Sequence, residues 1–319
     1  MPVILLSPAK ALDFSPHTFA KLATTSPVYE GIADKLVKEL KKLNKSQVKT
    51  LLGVSEPLAA LNYDRYQAWD EAGTKPTCLA LNGPAFQGLG AKSMSIEDLD
   101  WMQDRLRIMS GLYGHLRPLD NIKPYRLDMS KKLKEGGMDK FWVEMNTKMV
   151  NEVVGSLPEE ERFIVNCASQ EYSKSVNMQA LDYPIYSISL PGPSVFAKEA
   201  RGAMVRHIIC SRVVTPEGLQ DFKGSNDEWR FVRENKLKSG IIEVEFHRAA
   251  ISTTTAKKRV KSAPKSQSTE DEKQTMTPKT SGSDEAIAVF HTSDTKDVYP
   301  EVQSTTSGRK RARINYKGM

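Results

Sequence analysis

The sequence has few of the residues that mark secreted, metal-binding or membrane proteins. Three of its 319 residues are cysteine, and they lie far apart without a CxxC pair, which is typical of a reducing intracellular compartment. Its five histidines show no ligand spacing, so we expect no metal centre, no cofactor and no storage of iron. The first apolar run is only Val3–Leu6, and no run approaches the ~18 residues of a membrane span. We therefore expect a soluble protein without a signal peptide or a membrane partner.

Positive charge is concentrated near the carboxyl end. The chain carries 46 Lys/Arg and 39 Asp/Glu. Residues 252–319 hold 13 of the Lys/Arg and 8 of the Asp/Glu, so positive and negative charges nearly cancel in the first 251 residues. This segment also has twenty Ser/Thr in 68 residues, which predicts a disordered basic tail after a globular domain of residues 1–251. Its basic clusters, 257–261 and 309–313, are typical of nuclear import signals or phosphate-binding arms, and an inert tail is the alternative. The expected location is the cytoplasm, the nucleus or both.

The most unusual stretch is 105–129, RLRIMSGLYGHLRPLDNIKPYRLDM. From residue 105 to 135 there are eight Lys/Arg against three acids, which favours an anion-binding surface, whereas a solvated basic loop is the alternative. Gly111 and Gly114 suggest a backbone that needs positive φ or lets another group come close. A helix capped by Ser95 is expected to lead into the stretch. Its apolar face comprises Leu99, Met102, Leu106 and Met109.

Short apolar runs predict a sheet whose strand ends share a cleft. Val3–Leu6, 79–81 and 163–165 are each followed by a polar or glycine-containing turn, and 185–190 and 241–246 are further strand candidates. A helix is expected from 196 to 213. The fold class is therefore mixed α/β, one globular domain with a central sheet and surrounding helices. Polar residues after the strands leave open an enzyme that acts on a nucleotide or phosphorylated ligand. Its candidates are Lys10, Asn166, Glu171 and Lys174.

A pair of helices is predicted between residues 44 and 69. Asn44 and Gln47 form a capping-box pattern, Gly53 is placed to end the first helix, and Ser55 begins the second. Residues 52–59, LGVSEPLA, resemble the helix-hairpin-helix signature, with Ser55 in place of its second glycine. Such a turn presents backbone N–H groups to a phosphate, and an ordinary helical hairpin is the alternative. The expected inner face of the second helix comprises Leu58, Leu61 and Trp69.

Five segments together resemble the YaaA family of peroxide-stress proteins. They are SPAKALD (7–13), RIMSGLYGHLRPLDNIKPYRLDM (107–129), NCASQEYSKSV (166–176), FAKEARGAMVRHII (196–209) and GIIEVEFHR (240–248). The resemblance runs in order over residues 1–248. It implies a fold peculiar to the family, a basic cleft, a helix-hairpin-helix element, and binding of double-stranded DNA that limits oxidative damage. Two turns depart from the family pattern, 82–84 (NGP) and 169–172 (SQEY), which puts a catalytic or ion-binding role at these turns in doubt.

The leading hypothesis is that the protein binds DNA during peroxide stress without strong preference for a base sequence. An enzyme is the less favoured alternative. Arg117, held extended by Pro118, is expected to bind phosphate, and a structural pair with Asp120 or Asp128 is the alternative. The residues expected to bind nucleic acid are Lys10, Gly53, Val54, Ser55, Arg65, Arg105, Arg107, Arg117, Lys123, Arg126, Lys174, Lys198, Arg201 and Arg206.

Overall fold

The computed structural model of the protein describes residues 2–17, 19 and 22–249. The predicted disordered tail and its two basic clusters lie outside the described residues. The strands in the described part are β1 (Val3–Leu6), β2 (Lys75–Pro76), β3 (Leu106–Ser110), β4 (Gly114–Leu116), β5 (Asn121–Ile122), β6 (Ile164–Asn166), β7 (Ile185–Ser189), β8 (Trp229–Lys236) and β9 (Ile242–Arg248).

Helices surround the strands. They are α1 (Glu30–Leu40), α2 (Lys45–Leu52), α3 (Glu56–Gln67), α4 (Thr77–Ala80), α5 (Pro84–Leu89), α6 (Ile96–Arg105), α7 (Met138–Gly155), α8 (Gln170–Ser173) and α9 (Ser194–Cys210), with 3₁₀ turns at Ala91–Ser93, Glu159–Glu161, Met178–Ala180 and Pro216–Asp221. Among the described residues, none of these helices has the length and apolar character that a bilayer crossing requires.

The central sheet is mostly parallel. Its strand order is β4-β3-β1-β6-β7-β9-β8, in which β3, β1, β6, β7 and β9 are parallel and the edge strands β4 and β8 are antiparallel. Ile4 pairs with Leu106 on one side and Val165 on the other, so β1 lies inside the sheet. From β1 the chain passes first to β3 on one side and later to β6 on the other. The mixed α/β domain expected from the sequence is confirmed, as are its strands at 3–6, 163–165, 185–190 and 241–246.

The run at 79–81 is not a strand. Residues 77–80 form helix α4, and Leu81 makes a single bridge to Leu12. The Thr77 and Cys78 N–H groups donate to the carbonyls of Asp120 and Pro118, which holds the start of this turn against another segment. A short buried apolar run fits a helix or a strand equally well, and here distant backbone partners decided between them.

The predicted helix that includes Leu106 and Met109 ends earlier. Helix α6 stops at Arg105, and Leu106–Ser110 form the buried strand β3 between β1 and β4. The Ser95 side chain accepts from the Asp98 N–H, as predicted for the helix start. The stretch 105–129 is therefore largely interior, and a solvated basic loop does not describe it.

The two glycines of this stretch have the roles that the sequence suggested. Gly114 has a φ of 71°, and a Cβ there would lie 2.6 Å from the Trp142 ring. A Cβ on Gly111 would lie 2.2 Å from the Leu127 carbonyl oxygen. These close contacts let the β3–β4 turn pack under α7 and the segment after β5.

Helices α2 and α3 form a hairpin with the predicted ends. The Asn44 side chain accepts from the Gln47 N–H and the Gln47 side chain from the Asn44 N–H, while Gly53 has a φ of 61°. The predicted inner face of α3 is wrong for Leu58 and Leu61, which are 40% and 45% exposed. Its buried side chains are Ala59, Asn62 and Tyr66. The Tyr66 hydroxyl donates to the Arg126 carbonyl, which turns that face inward, whereas Trp69 beyond the helix is buried as predicted.

Candidate functional site

A pocket of about 430 Å³ lies where β1 and β6 end. Its walls come from residues 6–11 after β1, 82–87 at α5, 167–172 after β6, and helix α9. The chain reverses its direction across the sheet between β1 and β6, and open α/β sheets commonly bind ligands outside the carboxyl ends of strands at such a point. The three polar turns that were expected to share a cleft do meet here, although the middle one follows a helix. We call this cavity the strand-end pocket.

Direct hydrogen bonds hold these turns together. The Ser169 N–H donates to Ser7 Oγ at 2.9 Å, which joins the turn after β6 to the turn after β1. The Asn82 N–H donates to the Ala11 carbonyl at 2.9 Å and joins the third turn. Pocket walls on three separate segments are thus fixed by the backbone rather than by long side chains.

Helix α9 supplies two cations because it packs very closely on α5. A Cβ on Gly202 would lie 1.6 Å from the Ala85 carbonyl oxygen, and one on Gly88 would lie 2.0 Å from that of Glu199. The paired glycines bring the two helix backbones together, so that Lys198 and Arg201, three residues apart on α9, line the strand-end pocket.

Neither of these two cations is paired with an acid in the described part of the chain. Among the same residues the buried Nε of Arg201 has no hydrogen-bond partner. A buried guanidinium nitrogen without an acceptor is costly. An anionic ligand in the pocket would compensate the charge of the two side chains.

The other ionisable groups of the pocket are largely neutral or held by neighbours. Glu171 accepts from the Ser130 hydroxyl at 2.7 Å. Burial raises the pKa of the Cys167 thiol to about 12 and also raises the pKa of the Tyr172 hydroxyl, so both stay protonated near pH 7. Cys167 is therefore not a thiolate nucleophile under these conditions. Lys10, at the pocket rim, lies 3.5 Å from an oxygen of Asp128.

The segment 126–131 joins the strand-end pocket to the turn between α2 and α3. Asp128 contacts both Lys10, at 3.5 Å, and Arg126, at 3.8 Å. The Lys131 N–H donates to the Asp128 carbonyl at 3.1 Å, a turn that keeps the two Cα atoms within about 7 Å. The Lys131 ammonium lies 3.4 Å from the position that a Cβ would take on Gly53. One short segment thus contacts Lys10 of the strand-end pocket through Asp128 and the hairpin turn through Lys131.

Several residues expected to bind nucleic acid make contacts within the fold. Arg105 lies 3.1 Å from Glu161 and over the Trp101 ring. The Arg107 guanidinium is buried and donates to the carbonyls of Gln103 and Leu106. Arg65 donates to Asn62 Oδ1, and Arg117 pairs with Asp120. Arg206 donates to the carbonyls of Leu89 and Gly90.

Three other predicted residues are not among those that line the strand-end pocket. Lys123 lies over the Trp69 ring at 5.3 Å, and Lys174 is exposed where α8 ends. Asn166 uses its side-chain oxygen to accept from the Ala168 N–H at 3.1 Å. Of the four residues proposed for an enzyme, Lys10 and Glu171 line the strand-end pocket, whereas Asn166 and Lys174 do not.

Sequence reasoning passed over one residue, Lys131. It belongs to the run of basic residues after 105, but its distance from Gly53 in the chain gave no sign that the two would meet. In the part of the chain that the structure covers, its ammonium has no acidic partner. Across the same residues no group of three or more His, Cys, Asp or Glu side chains is placed to hold a metal ion.

Comparisons with known proteins agree with the resemblance drawn from the motifs. The family model described as peroxide stress protein YaaA matches residues 3–235. A UPF0246 protein of Burkholderia mallei (strain SAVP1) is 40% identical over 237 residues, covering 69% of this chain and 90% of the relative. UPF0246 proteins of Burkholderia pseudomallei (strain K96243) and Burkholderia thailandensis show the same identity and coverage. The chain therefore belongs to the peroxide stress protein YaaA family, whose members are also named UPF0246.

Proposed function

We propose that this protein binds the sugar–phosphate backbone of double-stranded DNA, without reading its sequence, as its part in the peroxide stress response. The observation that carries the proposal is the position of Lys131 beside Gly53 at the turn between α2 and α3. A tight turn that opens a helix offers backbone N–H groups to a phosphate, and a cation beside it adds charge attraction. In this reading α2 and α3 act as a helix-hairpin-helix element.

The turn has donors available for a phosphate. The N–H groups of Ser55, Glu56 and Leu58 have no hydrogen-bond partner among the described residues, and the Ser55 side chain does not cap the helix. The Glu56 carboxylate, which would repel a phosphate, lies 3.0 Å from the Lys49 ammonium. This ion pair offsets the acidic charge that weakened the motif in the sequence.

A cationic path continues from the turn toward the strand-end pocket. It begins with Gly53 and Lys131 and reaches Lys10 through the Asp128–Lys131 turn. Lys174, which is exposed at the end of α8, belongs to the segment after β6. We propose that these cations contact successive phosphates, whereas Arg105, Arg107, Arg117 and Arg206 support the fold. This assignment limits the basic cleft to Lys10, Lys131 and Lys174, of which Lys10 also contacts Asp128.

A salt series tests the proposal. The full chain and its Lys131→Ala variant are titrated with a fluorescent duplex from about 50 to 200 mM salt, the range in which a few lost phosphate contacts change affinity strongly. Lys131→Ala should lower the slope of log K against log salt by about one unit, equally for duplexes of different sequence.

Lys236→Ala is the matched control. Lys236 pairs in register with Ile242, the first residue of β9, so it lies at the opposite edge of the sheet from the strand-end pocket. Its removal changes net charge by the same amount and should leave the slope unchanged. Equal slopes for the Lys131 variant and the parent, or affinity that does not depend on salt, would reject the proposal.

The basic clusters at 257–261 and 309–313 lie outside the described residues. We propose that they add non-specific contacts with phosphate or are bound by nuclear import receptors. Because the Lys131 comparison is made within the full chain, a contribution of the tail is common to all variants and cancels.

A further inference from the structure

The strand-end pocket is not explained by binding to a duplex backbone. Its volume of about 430 Å³ falls in the range of small-molecule sites, which are concave and enclose most of their ligand. A duplex presents its phosphates on a convex surface, which can cross the pocket rim at Lys10 but cannot fill the interior. A ligand of different size is needed to occupy it.

The charges of the pocket fit one phosphate group. Three cations line it, Lys10, Lys198 and Arg201, against the one carboxylate of Glu171, a formal excess of two positive charges. Asp128 does not cancel this excess, because it also contacts Arg126. A phosphate monoester carries a charge between about −1.5 and −2 at pH 7.

Lys198 and Arg201 are the two cations placed to hold that group. They lie three residues apart on α9, both line the pocket, and neither is paired with an acid among the described residues. The guanidinium presents its N–H groups in a planar fork that matches phosphate oxygens. The close α5–α9 packing at Gly202 fixes the backbone beside Arg201, so the donors are positioned before a ligand arrives.

The remaining lining suits the rest of a nucleotide. Pro8 and Pro84 contribute apolar surface to the walls, as a base or sugar ring requires. Asn82 offers an amide, and the Glu171 carboxylate, oriented by the Ser130 hydroxyl, can accept from a ribose hydroxyl or an exocyclic amine. Inorganic phosphate alone would leave these walls without a partner.

We propose that the strand-end pocket binds a single nucleotide unit, with its phosphate on Lys198 and Arg201. The nucleotide has two possible sources that share a base, a sugar and an anionic phosphate: a free nucleoside monophosphate, whose monoester matches the charge excess, or one nucleotide turned out of a DNA strand that the protein holds at the hairpin, whose phosphodiester carries one negative charge. Binding of the free monophosphate does not depend on duplex binding, whereas the second source rests on the proposed DNA binding at the hairpin.

Calorimetric titration of the full chain with adenosine 5′-monophosphate tests the pocket. Adenosine and inorganic phosphate, each lacking one half of the ligand, should bind at least tenfold more weakly. Lys198→Ala and Arg201→Ala should each weaken the binding of the monophosphate at least tenfold, as expected when a charge-assisted hydrogen bond is lost. Lys198 is exposed, so its variant keeps the assay informative if the Arg201 variant fails to fold. Lys236→Ala is the control of equal charge and should bind like the parent.

The second source has its own measurement. A duplex with one mismatched 2-aminopurine should brighten on binding if the base leaves the stack, and excess monophosphate should reverse the increase. Binding of the free monophosphate or a competed 2-aminopurine signal supports the proposal. The proposal is overturned if neither monophosphate binding nor a competed 2-aminopurine signal is seen. It is also overturned if Lys198→Ala and Arg201→Ala leave the affinity for the monophosphate unchanged. Lys131→Ala should bind the free monophosphate like the parent while its duplex salt slope falls, so failure of one proposal is distinguishable from failure of the other.

Discussion

The Arg117–Asp120 pair gives the sharpest test of what the basic motif does. Asp120 is fully buried and accepts four hydrogen bonds: from the Arg117 N–H at 2.8 Å, its Nε at 3.0 Å, its Nη2 at 2.8 Å, and the Thr25 hydroxyl at 2.6 Å. Arg117 Nη2 also donates to the Ser26 carbonyl at 3.0 Å. The geometry supports the structural alternative for Arg117, in which its side chain holds Ser26 and its partner Asp120 holds Thr25 against the turn after β4.

Replacing Arg117 by alanine should cost about 2 to 3 kcal/mol of unfolding free energy. Loss of one partner from a fully buried ion pair costs about 3 to 5 kcal/mol. The Arg117 side chain is 29% exposed, so water can reach the vacated space, and Asp120 keeps the backbone N–H and the Thr25 hydroxyl. At about 2 to 4 °C per kcal/mol for a domain of this size, the melting temperature should fall by about 4 to 12 °C.

Urea and thermal unfolding of Arg117→Ala measure this cost. The double variant Arg117→Ala with Asp120→Asn removes the uncompensated charge, so its loss of stability should be smaller than the sum of the two single losses. The salt slope of DNA binding should stay that of the parent. An unchanged unfolding midpoint together with a slope lowered by about one unit would show that Arg117 binds phosphate and that this reasoning is wrong.

Two further perturbations test the packing. Gly202→Ala should destabilise the protein by about 3 kcal/mol or more and abolish monophosphate binding, because its Cβ would lie 1.6 Å from a carbonyl oxygen of α5. Gly31→Ala in α1 is the control, because a Cβ there meets nothing within 4 Å. It should leave the melting temperature unchanged or raise it slightly. Equal changes of the melting temperature in the Gly202 and Gly31 variants would contradict the packing argument. Burial lowers the pKa of His115 to about 3 from 6.5, so its contribution to stability is complete above pH 6.5 and is lost as the pH falls. Between pH 6.5 and 5 the parent should lose about 2 kcal/mol through this residue, and urea unfolding of His115→Gln should show a flatter pH dependence over that range.

Local signals in the sequence determined several elements correctly. Four consecutive apolar residues predicted β1, and its full burial between parallel neighbours explains why the run does not alternate. The Asn44–Gln47 capping box and Gly53 set the ends of α2, since each acts through atoms within three or four residues. Polar residues after β1 and β6 predicted a shared cleft, because the carboxyl ends of parallel strands lie on one edge of a sheet. The family followed from long motifs that survive in order along the chain.

Tertiary structure alone decided the features that depend on distant partners. Leu106–Ser110 became a strand because β1 and β4 offered backbone hydrogen bonds on both sides, although its apolar spacing also suited a helix. The inward face of α3 was set by Tyr66 reaching the Arg126 carbonyl, and not by its leucines. Charge counting found a basic stretch but could not tell Arg117, which has a buried acid, from Lys131, which has the hairpin turn beside it. The residue type determines the charge of a side chain, whereas its neighbours in space determine whether that charge is available to a ligand.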